Sequence, residues 1–294
     1  MSSETLTPPQ APALDSPWRR LLDSFPVRYI LYPVGQMVIF IAGAAGILTL
    51  LSVLLALLVP EPRPNIVLMD QIGKQLPGMI ISGISIGFVY SMVALGYTLV
   101  YGVLKFINFA HSEIFMVGSV IGFEVMQRIE DVGFIQLWHP VALVVTIVGS
   151  AMIISGLLAV LIERVAYRPL RNAPRLVPLI TAIGISFFLI DFVRAIEAIT
   201  RNDFNLTYPT GDLSYLRTPI PMTFGETTVN VRITSIIIVL AAVIMLIILN
   251  YFVNGTKLGR GIRAVSQDRT TAGLMGINVN LMISITFFVG GALG

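Results

Sequence analysis

The sequence contains no cysteine and only two histidines, His111 and His139. Without cysteine the chain has no disulfide, zinc–thiolate site, iron–sulfur cluster or cysteine nucleophile. Two histidines without an HExxH pair also argue against a metal site built from histidine. We therefore expect neither a metal nor a cofactor in this chain.

Motifs that mark common catalytic sites are missing as well. There is no G-x-x-x-x-G-K-[ST] loop, and Gly73-Lys74-Gln75 lacks both the earlier glycine and the hydroxyl that would contact magnesium. There is also no G-x-S-x-G elbow and no evident pair of catalytic carboxylates. We expect that the chain is not an enzyme and does not hydrolyse ATP by a P-loop.

Charge is scarce, and long apolar runs replace it. Charged residues make up 12% of the 294 positions and hydrophobic residues 55%, whereas about 25% charge is usual in soluble domains. A membrane-spanning helix needs about 20 mostly apolar residues. Such runs lie at 34–59, 77–103, 109–127, 140–162, 177–195, 233–253 and from 279 onward. The fold class predicted is an all-α, polytopic transmembrane helix bundle with about seven spans.

The two ends of the chain differ from this core. Residues 1–33 are rich in proline, serine and threonine, a composition that predicts a disordered tail. The run 34–59 is too long for a signal-peptide core and is interpreted as an extra N-terminal transmembrane helix. The last run stops at Gly294 after about 16 residues, short for a full crossing, as in a truncated version of a longer protein, and the residues alone do not decide whether the sequence is truncated.

Lysine and arginine concentrate in loops that fall on one side of the predicted topology. Twelve of the 19 lie in the tail, at Lys105, and in the segments 163–177 and 254–277. The positive-inside rule then predicts a cytoplasmic N-terminus. It makes 196–232 an external loop and 254–277 a cytoplasmic loop. Val229, Val231 and Ile233 alternate as in a short strand, but they fit the frayed start of the next helix equally well.

Small residues recur every four positions in two predicted spans. They are Gly83, Gly87 and Ser91 in the second span, and Gly118 and Gly122 in the third. This spacing lets helix backbones approach closely in lipid. We interpret it as helix packing rather than a direct role in transport.

Polar residues interrupt the apolar sequence YGVLKFINFAHSEIFMVG, residues 101–118. Asn108, His111, Ser112 and Glu113 need partners at membrane depth, so they indicate a cavity or a helix contact. The alternative is a helix start at the inner interface, with Asn108 as N-cap and Glu113 in the first turn. The residues alone do not decide between these interpretations.

The fifth span, LITAIGISFF, contains Thr181, Gly184 and Ser186 in an otherwise apolar helix. These residues could line a substrate route or pack against a neighbouring helix, and packing is the commoner case. Asp191, Arg194 and Glu197 follow near the outer end, and we assign them no transport role.

Residues 259–280, GRGIRAVSQDRTTAGLMGINVN, predict a short amphipathic helix at the cytoplasmic membrane surface. Ala264, Ala272 and Leu274 are its apolar contacts. On the residues alone, a basic surface helix that binds membrane lipid is the preferred interpretation.

Three blocks in order resemble the permease family of branched-chain amino-acid ABC importers: YGVLKFINFAH, ERVAYRPLRNAPRLVPLITAIGIS and GRGIRAVSQDRTTAGLMGINV. The resemblance covers 77–294 and implies a permease core, with the tail and first span as an extension. It implies a second permease subunit, two ATPase subunits and an external solute-binding protein as partners, and no nucleic acid.

The resemblance also implies roles for named residues. Residues 254–277 would be the coupling loop for the ATPase, through Arg263, Ala264, Ala272 and Gly276. The substrate path would be lined by Asn108, His111, Ser112, Glu113, Thr181, Gly184 and Ser186. Two departures stand out: Thr270 and Thr271 replace the acid that often precedes Ala272, and Ser112 replaces a glycine.

The function that the resemblance implies is ATP-driven import of branched-chain or related hydrophobic amino acids across a bacterial inner membrane. One alternative is a permease of the same fold for urea or short amides, because such blocks report fold and coupling more than substrate. A second is an ion-coupled secondary transporter, for which we find no internal repeat.

Overall fold

A computed structural model describes residues 32–58, 68–133, 140–174, 176–201, 219–224 and 227–294. The predicted disordered tail lies outside these residues, apart from its last two positions, and so does His139. The middle of the predicted external loop also lies outside them. Throughout this part of the chain the structure is mainly helical, which confirms the predicted class.

Seven helices correspond in order to the seven apolar runs. They are α1 Tyr32–Leu58, α2 Leu68–Leu104, α3 His111–Asp131, α4 Pro140–Ile162, α5 Leu176–Arg201, α6 Ile233–Gly255 and α9 Val279–Leu293. Among the described residues, five helices are long and apolar enough to cross a membrane: α1, α2, α4, α5 and α6. α9 is apolar but shorter, and α3 carries more polar residues than the other five.

Helix α2 differs most from its predicted span. It begins at Leu68 rather than at residue 77, and Pro77 lies inside it. The added turns contain Asp70, Gln71 and Lys74. These polar residues lie outside the predicted apolar run, but they belong to the helix.

A short hairpin precedes α6. Strand β1, Pro219–Phe224, pairs antiparallel with β2, Thr227–Arg232, and Ile220 stands opposite Val231. The strand interpretation is thus confirmed for Val229 and Val231, whereas Ile233 is the first residue of α6. The extended Arg232 backbone marks the change from strand to helix.

The amphipathic helix predicted at 259–280 is two helices, α7 Lys257–Gln267 and α8 Arg269–Leu274. The side chain of Thr256 accepts a 3.0 Å hydrogen bond from the Gly259 amide and caps α7. Asp268 separates the helices and caps α8 by accepting from the Thr270 amide at 2.8 Å. Hydrogen bonds from the Thr271 hydroxyl and the Thr270 amide hold the pKa of Asp268 below its ordinary value.

Helix α9 lies at the centre of the packing. It contacts α4 and α2, α4 packs in turn on α3, and α2 packs on α6 and α1. The buried apolar core includes Val100, Ile114, Ile283 and Phe287. Since α7 and α8 contribute Ile262, Val265 and Ala272 to the same core, the predicted cytoplasmic loop is packed against the bundle.

Candidate functional site at the basic end of the bundle

The chain folds back between α2 and α3. Lys105 follows the end of α2 with a positive φ of 63°, and α3 begins at His111. The buried His111 places Nε2 3.2 Å from the Val93 carbonyl oxygen. Val93 precedes the end of α2 by about three turns, so residues 105–110 turn back into the bundle. Non-helical backbone is tolerated at membrane depth when protein surrounds it.

Asn108 anchors this fold-back segment. Its Oδ1 accepts a 2.7 Å hydrogen bond from the Tyr167 hydroxyl and a 3.2 Å bond from the Ala110 amide. Ala110, rather than Asn108, occupies the N-cap position of α3. Tyr167 is fully buried between the rings of Phe106 and Phe287. Asn108 therefore fixes the turn from inside the core.

A buried ion pair lies beside Tyr167. The last turn of α4 widens into a π-helical turn, Glu163–Tyr167, and the carboxylate of Glu163 is fully buried. It pairs with Arg171 and accepts a 2.8 Å hydrogen bond from Ser284 in α9. Arg171 also donates to Asn280 at 2.6 Å. Because a lone buried charge is costly, Glu163 and Arg171 depend on each other.

Arg269 in α8 reaches the end of α2. Its Nη2 donates to the carbonyl oxygens of Val103 and Leu104 at 2.6 and 2.9 Å. These carbonyls belong to the last turn of α2, where the helix leaves them without partners of its own. Burial, and then the charge of nearby Arg171, lower the pKa of Arg269. The two basic loops and the end of α2 thus meet at one end, here called the basic end.

Three predicted path residues form one cluster between α3 and α5. Glu113 Oε1 accepts hydrogen bonds from Ser112 at 3.1 Å and from Ser186 at 3.0 Å. Ser112 is exposed, while Glu113 and Ser186 are half-buried. A carboxylate with two hydroxyls offers both acceptors and donors to a polar solute.

The remaining predicted path residues lie elsewhere. Thr181 donates to the Val177 carbonyl of its own helix at 2.9 Å. Gly184 is exposed, and no atom stands within 4 Å of the position a Cβ would take. Asn108 and His111 are buried in the fold-back segment. The structure therefore gathers only Ser112, Glu113 and Ser186 into one polar cluster.

The predicted coupling residues divide into buried and exposed ones. Ala272 is buried in the core and Ala264 is half-buried beside it. Arg263 donates to the Val253 carbonyl at 2.7 Å and to Asn254 at 2.8 Å, at the end of α6. Gly276 is exposed with φ 81°, a conformation that favours glycine. The four residues therefore support the conformation of the loop itself.

Leu274 and Met275 are the two most exposed large apolar side chains of this loop. Leu274 is 84% exposed and Met275 78% exposed, at the tip formed by the end of α8. An exposed apolar pair at the tip of a loop indicates a contact surface.

Close helix packing involves glycines that the four-residue spacing did not identify. A Cβ at Gly96 would stand 2.5 Å from the Gly290 carbonyl oxygen, and one at Gly290 would stand 2.7 Å from Val100. Gly118 was predicted, and its Cβ would stand 2.6 Å from Ser155 Oγ; Gly122 is buried on the same helix.

Gly83 and Gly87 leave open space instead. No atom lies within 4 Å of a Cβ at either position. With Ser91 they line a cleft of about 230 Å³ beside α1. Within this chain the structure therefore shows a close contact at Gly118 and open space at Gly83 and Gly87.

Sequence reasoning missed Glu163, Tyr167, Arg171 and Arg269 as members of this end. The sequence feature that could have identified them was Glu163, because an acid at the end of a long apolar run needs a cationic partner. Within the described residues, no group of three His, Asp or Glu side chains could hold a metal ion.

These features together define a polytopic helical membrane protein with polar groups buried among its spans. Residues 79–294 match the family model described as branched-chain amino acid transport system / permease component. The chain belongs to this family, which confirms the resemblance and places it among permease components rather than enzymes.

Three curated relatives illustrate the similarity. The high-affinity branched-chain amino acid transport system permease protein BraD of Pseudomonas aeruginosa is 35% identical over 217 residues, covering 73% of this chain and 66% of BraD. The corresponding LivH proteins of Salmonella typhimurium and Escherichia coli K12 are 34% and 33% identical, each covering 72% of this chain and 66% of the relative. The alignments thus span slightly less than two thirds of these relatives. No solved structure matches the chain.

Proposed function

We propose that the chain is the transmembrane permease subunit of an ATP-driven importer of branched-chain or related hydrophobic amino acids. The observation that carries the proposal is family membership across residues 79–294. The function of the relatives, high-affinity branched-chain amino acid transport, supports the substrate class. The protein would lie in a bacterial inner membrane with the N-terminus and the basic end in the cytoplasm, as the positive-inside rule favours.

The tip of α8 supports coupling to a separate ATPase. Leu274 and Met275 are exposed on the loop that also holds α2 through Arg269. A partner bound to this tip would move the end of α2 and the fold-back segment together. Two ATPase subunits, a second permease and an external solute-binding protein complete the proposed importer, and this chain needs no cofactor of its own.

The polar cluster Ser112, Glu113 and Ser186 is the part of the proposed path that the geometry supports most directly. A zwitterion leaving water needs hydrogen-bonding groups in a protected position. Thr181 and Gly184 would line the same route from the exposed face of α5. Asn108 and His111 would act by holding the start of α3 in place.

The test is uptake of radiolabelled leucine, isoleucine and valine by cells that lack the gene and by cells in which it is restored. We expect uptake to require the gene, to fall on ATP depletion and to persist when ion gradients are collapsed while ATP is maintained. Uptake of urea or acetamide instead of the amino acids would favour the same-fold alternative. Dependence on an ion gradient would favour a secondary transporter.

Variants then test the path. Glu113→Gln and Ser186→Ala should lower uptake without lowering the amount of protein in the membrane. If alanine at His111 and at Thr181 both leave uptake unchanged, the assignment of those two residues to the path fails.

A further inference from the structure

A second cavity lies between α3, α4 and α5, toward the end of the bundle opposite the basic end. Its volume is about 620 Å³, within the usual range of small-molecule sites, about 300–1,000 Å³. Its wall is largely apolar and includes Val117, Val120, Ile121, Leu158, Leu189 and Phe192. Such a wall suits a branched aliphatic side chain.

Two acids of this cavity, Glu124 and Glu197, lie around Arg201, the last residue of α5, while Arg128 and Asp131 line it from α3. The Arg201 guanidinium donates to Gln127 and Glu124 of α3 and lies 4.7 Å from the centre of the Phe123 ring. It also stands 3.4 Å from Glu197 Oε2, one turn earlier in α5. The donors of Arg201 are therefore largely engaged by the chain itself.

Glu197 is the unusual member of this group. It lines the cavity and is 4% exposed. Its Oε2 accepts no hydrogen bond within the described part of the chain, and its contact with Arg201 at 3.4 Å is electrostatic only. A buried carboxylate oxygen without a donor is costly. A cationic N–H donor, such as an ammonium group, would satisfy this oxygen with a charge-assisted hydrogen bond.

The cavity also contains a cation that can pair with the carboxylate of a ligand. Arg128 lines the same cavity from α3 and forms no ion pair with another described residue. The site thus offers a buried acid whose Oε2 accepts no hydrogen bond, an arginine in no ion pair that shares the cavity with Asp131, and an apolar wall.

We propose that this cavity binds the zwitterionic amino acid on its way through the protein, with Glu197 receiving the ammonium group. The inference rests on the proposed function and assigns it a site distinct from Ser112, Glu113 and Ser186. Arg128 attracts the carboxylate, and the aliphatic side chain lies along α3 and α5. Glu197 is then a specificity-determining residue for the amino group.

The test is equilibrium binding of radiolabelled leucine to the full-length protein in lipid nanodiscs. Glu197→Gln keeps the shape of the side chain and removes its charge, and it should weaken binding about tenfold or more. Ile121→Trp fills the cavity and should abolish binding while keeping Glu197. Asp191→Asn is the matched control, because Asp191 lies on the same helix but is exposed and pairs with Arg194 at 3.7 Å; its binding should equal wild type.

Two leucine analogues identify the group that is recognised. 3-Methylbutylamine keeps the ammonium group and should compete with leucine in the wild type but not in Glu197→Gln. 4-Methylpentanoate keeps only the carboxylate and should compete weakly. Equal competition by 4-methylpentanoate, unchanged binding by Glu197→Gln, or no saturable leucine binding to the wild type each overturns the proposal.

Uptake measurements separate this proposal from the proposed function. If cells with Glu197→Gln import leucine with wild-type half-saturation, the cavity is not the site and the importer function stands. If deleting the gene leaves amino-acid uptake unchanged, the importer function itself fails. Normal size-exclusion profiles of Glu197→Gln and Ile121→Trp exclude misfolding as the cause of lost binding.

Discussion

Tyr167 and Asn108 lie 59 positions apart in sequence and share a 2.7 Å hydrogen bond in the core. The bond joins the π-helical turn after α4 to the segment that folds back between α2 and α3. Both side chains are buried, so water cannot replace either partner. The position of the start of α3, and with it Ser112 and Glu113, depends on this contact.

Tyr167→Phe should lower the free energy of unfolding by about 1 kcal/mol, because it removes one hydrogen bond and leaves the Ala110 amide bonded to Asn108. Thermal unfolding of the purified protein in detergent measures the change. Tyr101→Phe is the control, since Tyr101 is 46% exposed, and it should have no effect. Equal midpoints for Tyr167→Phe and wild type would contradict the role of this bond.

Breaking the ion pair between Glu163 and Arg171 should destabilise the protein more than Tyr167→Phe does. Glu163→Gln leaves the largely buried guanidinium without its acid and should destabilise the protein by about 3 kcal/mol. Adding Arg171→Met should recover part of that loss, because no unpaired charge then remains. The yield of monodisperse protein and the unfolding midpoint are the measurements. A double variant no more stable than Glu163→Gln would argue against a coupled pair, and the exposed Arg168→Met serves as control.

Two glycine-to-alanine substitutions in α2 should have opposite outcomes. At Gly96 the new methyl group would meet the Gly290 carbonyl oxygen at 2.5 Å, so Gly96→Ala should cost about 1–3 kcal/mol through overpacking. At Gly87 the methyl group meets open space, so Gly87→Ala should be neutral or slightly stabilising. Unfolding midpoints measured side by side compare them. Similar midpoints for the two variants would mean that α2 and α9 are not this close.

The exposed tip of α8 should matter for transport and not for folding. Replacing both Leu274 and Met275 by serine should reduce leucine uptake about tenfold, because it removes apolar contact area from the proposed interface. The unfolding midpoint of the isolated chain should stay unchanged. Leu258→Ser in α7, 40% exposed, is the control and should preserve uptake. Wild-type uptake by the variant with serine at both positions would show that the tip is not part of the coupling surface.

The sequence was sufficient to predict the helical bundle and the order of its spans. Apolar runs of about 20 residues have few alternatives to a membrane helix, and the observed helices begin within about two residues of six of the seven predicted runs, α2 being the exception. The three blocks of residues were likewise sufficient to identify the family. These features depend on local composition and order, which a linear sequence contains completely.

Tertiary structure alone decided which polar residues meet. A spanning helix that is apolar on every side does not reveal the face that it turns to a neighbour. For this reason Glu113 with Ser186, and Arg171 with Asn280, could not be paired beforehand. For the same reason the sequence did not predict the close approach of Gly96 and Gly290. Nor did it predict the cavity that Glu197 lines between the helices. Rotation of each helix about its axis is set by packing across the bundle, and packing joins residues that lie far apart in the chain.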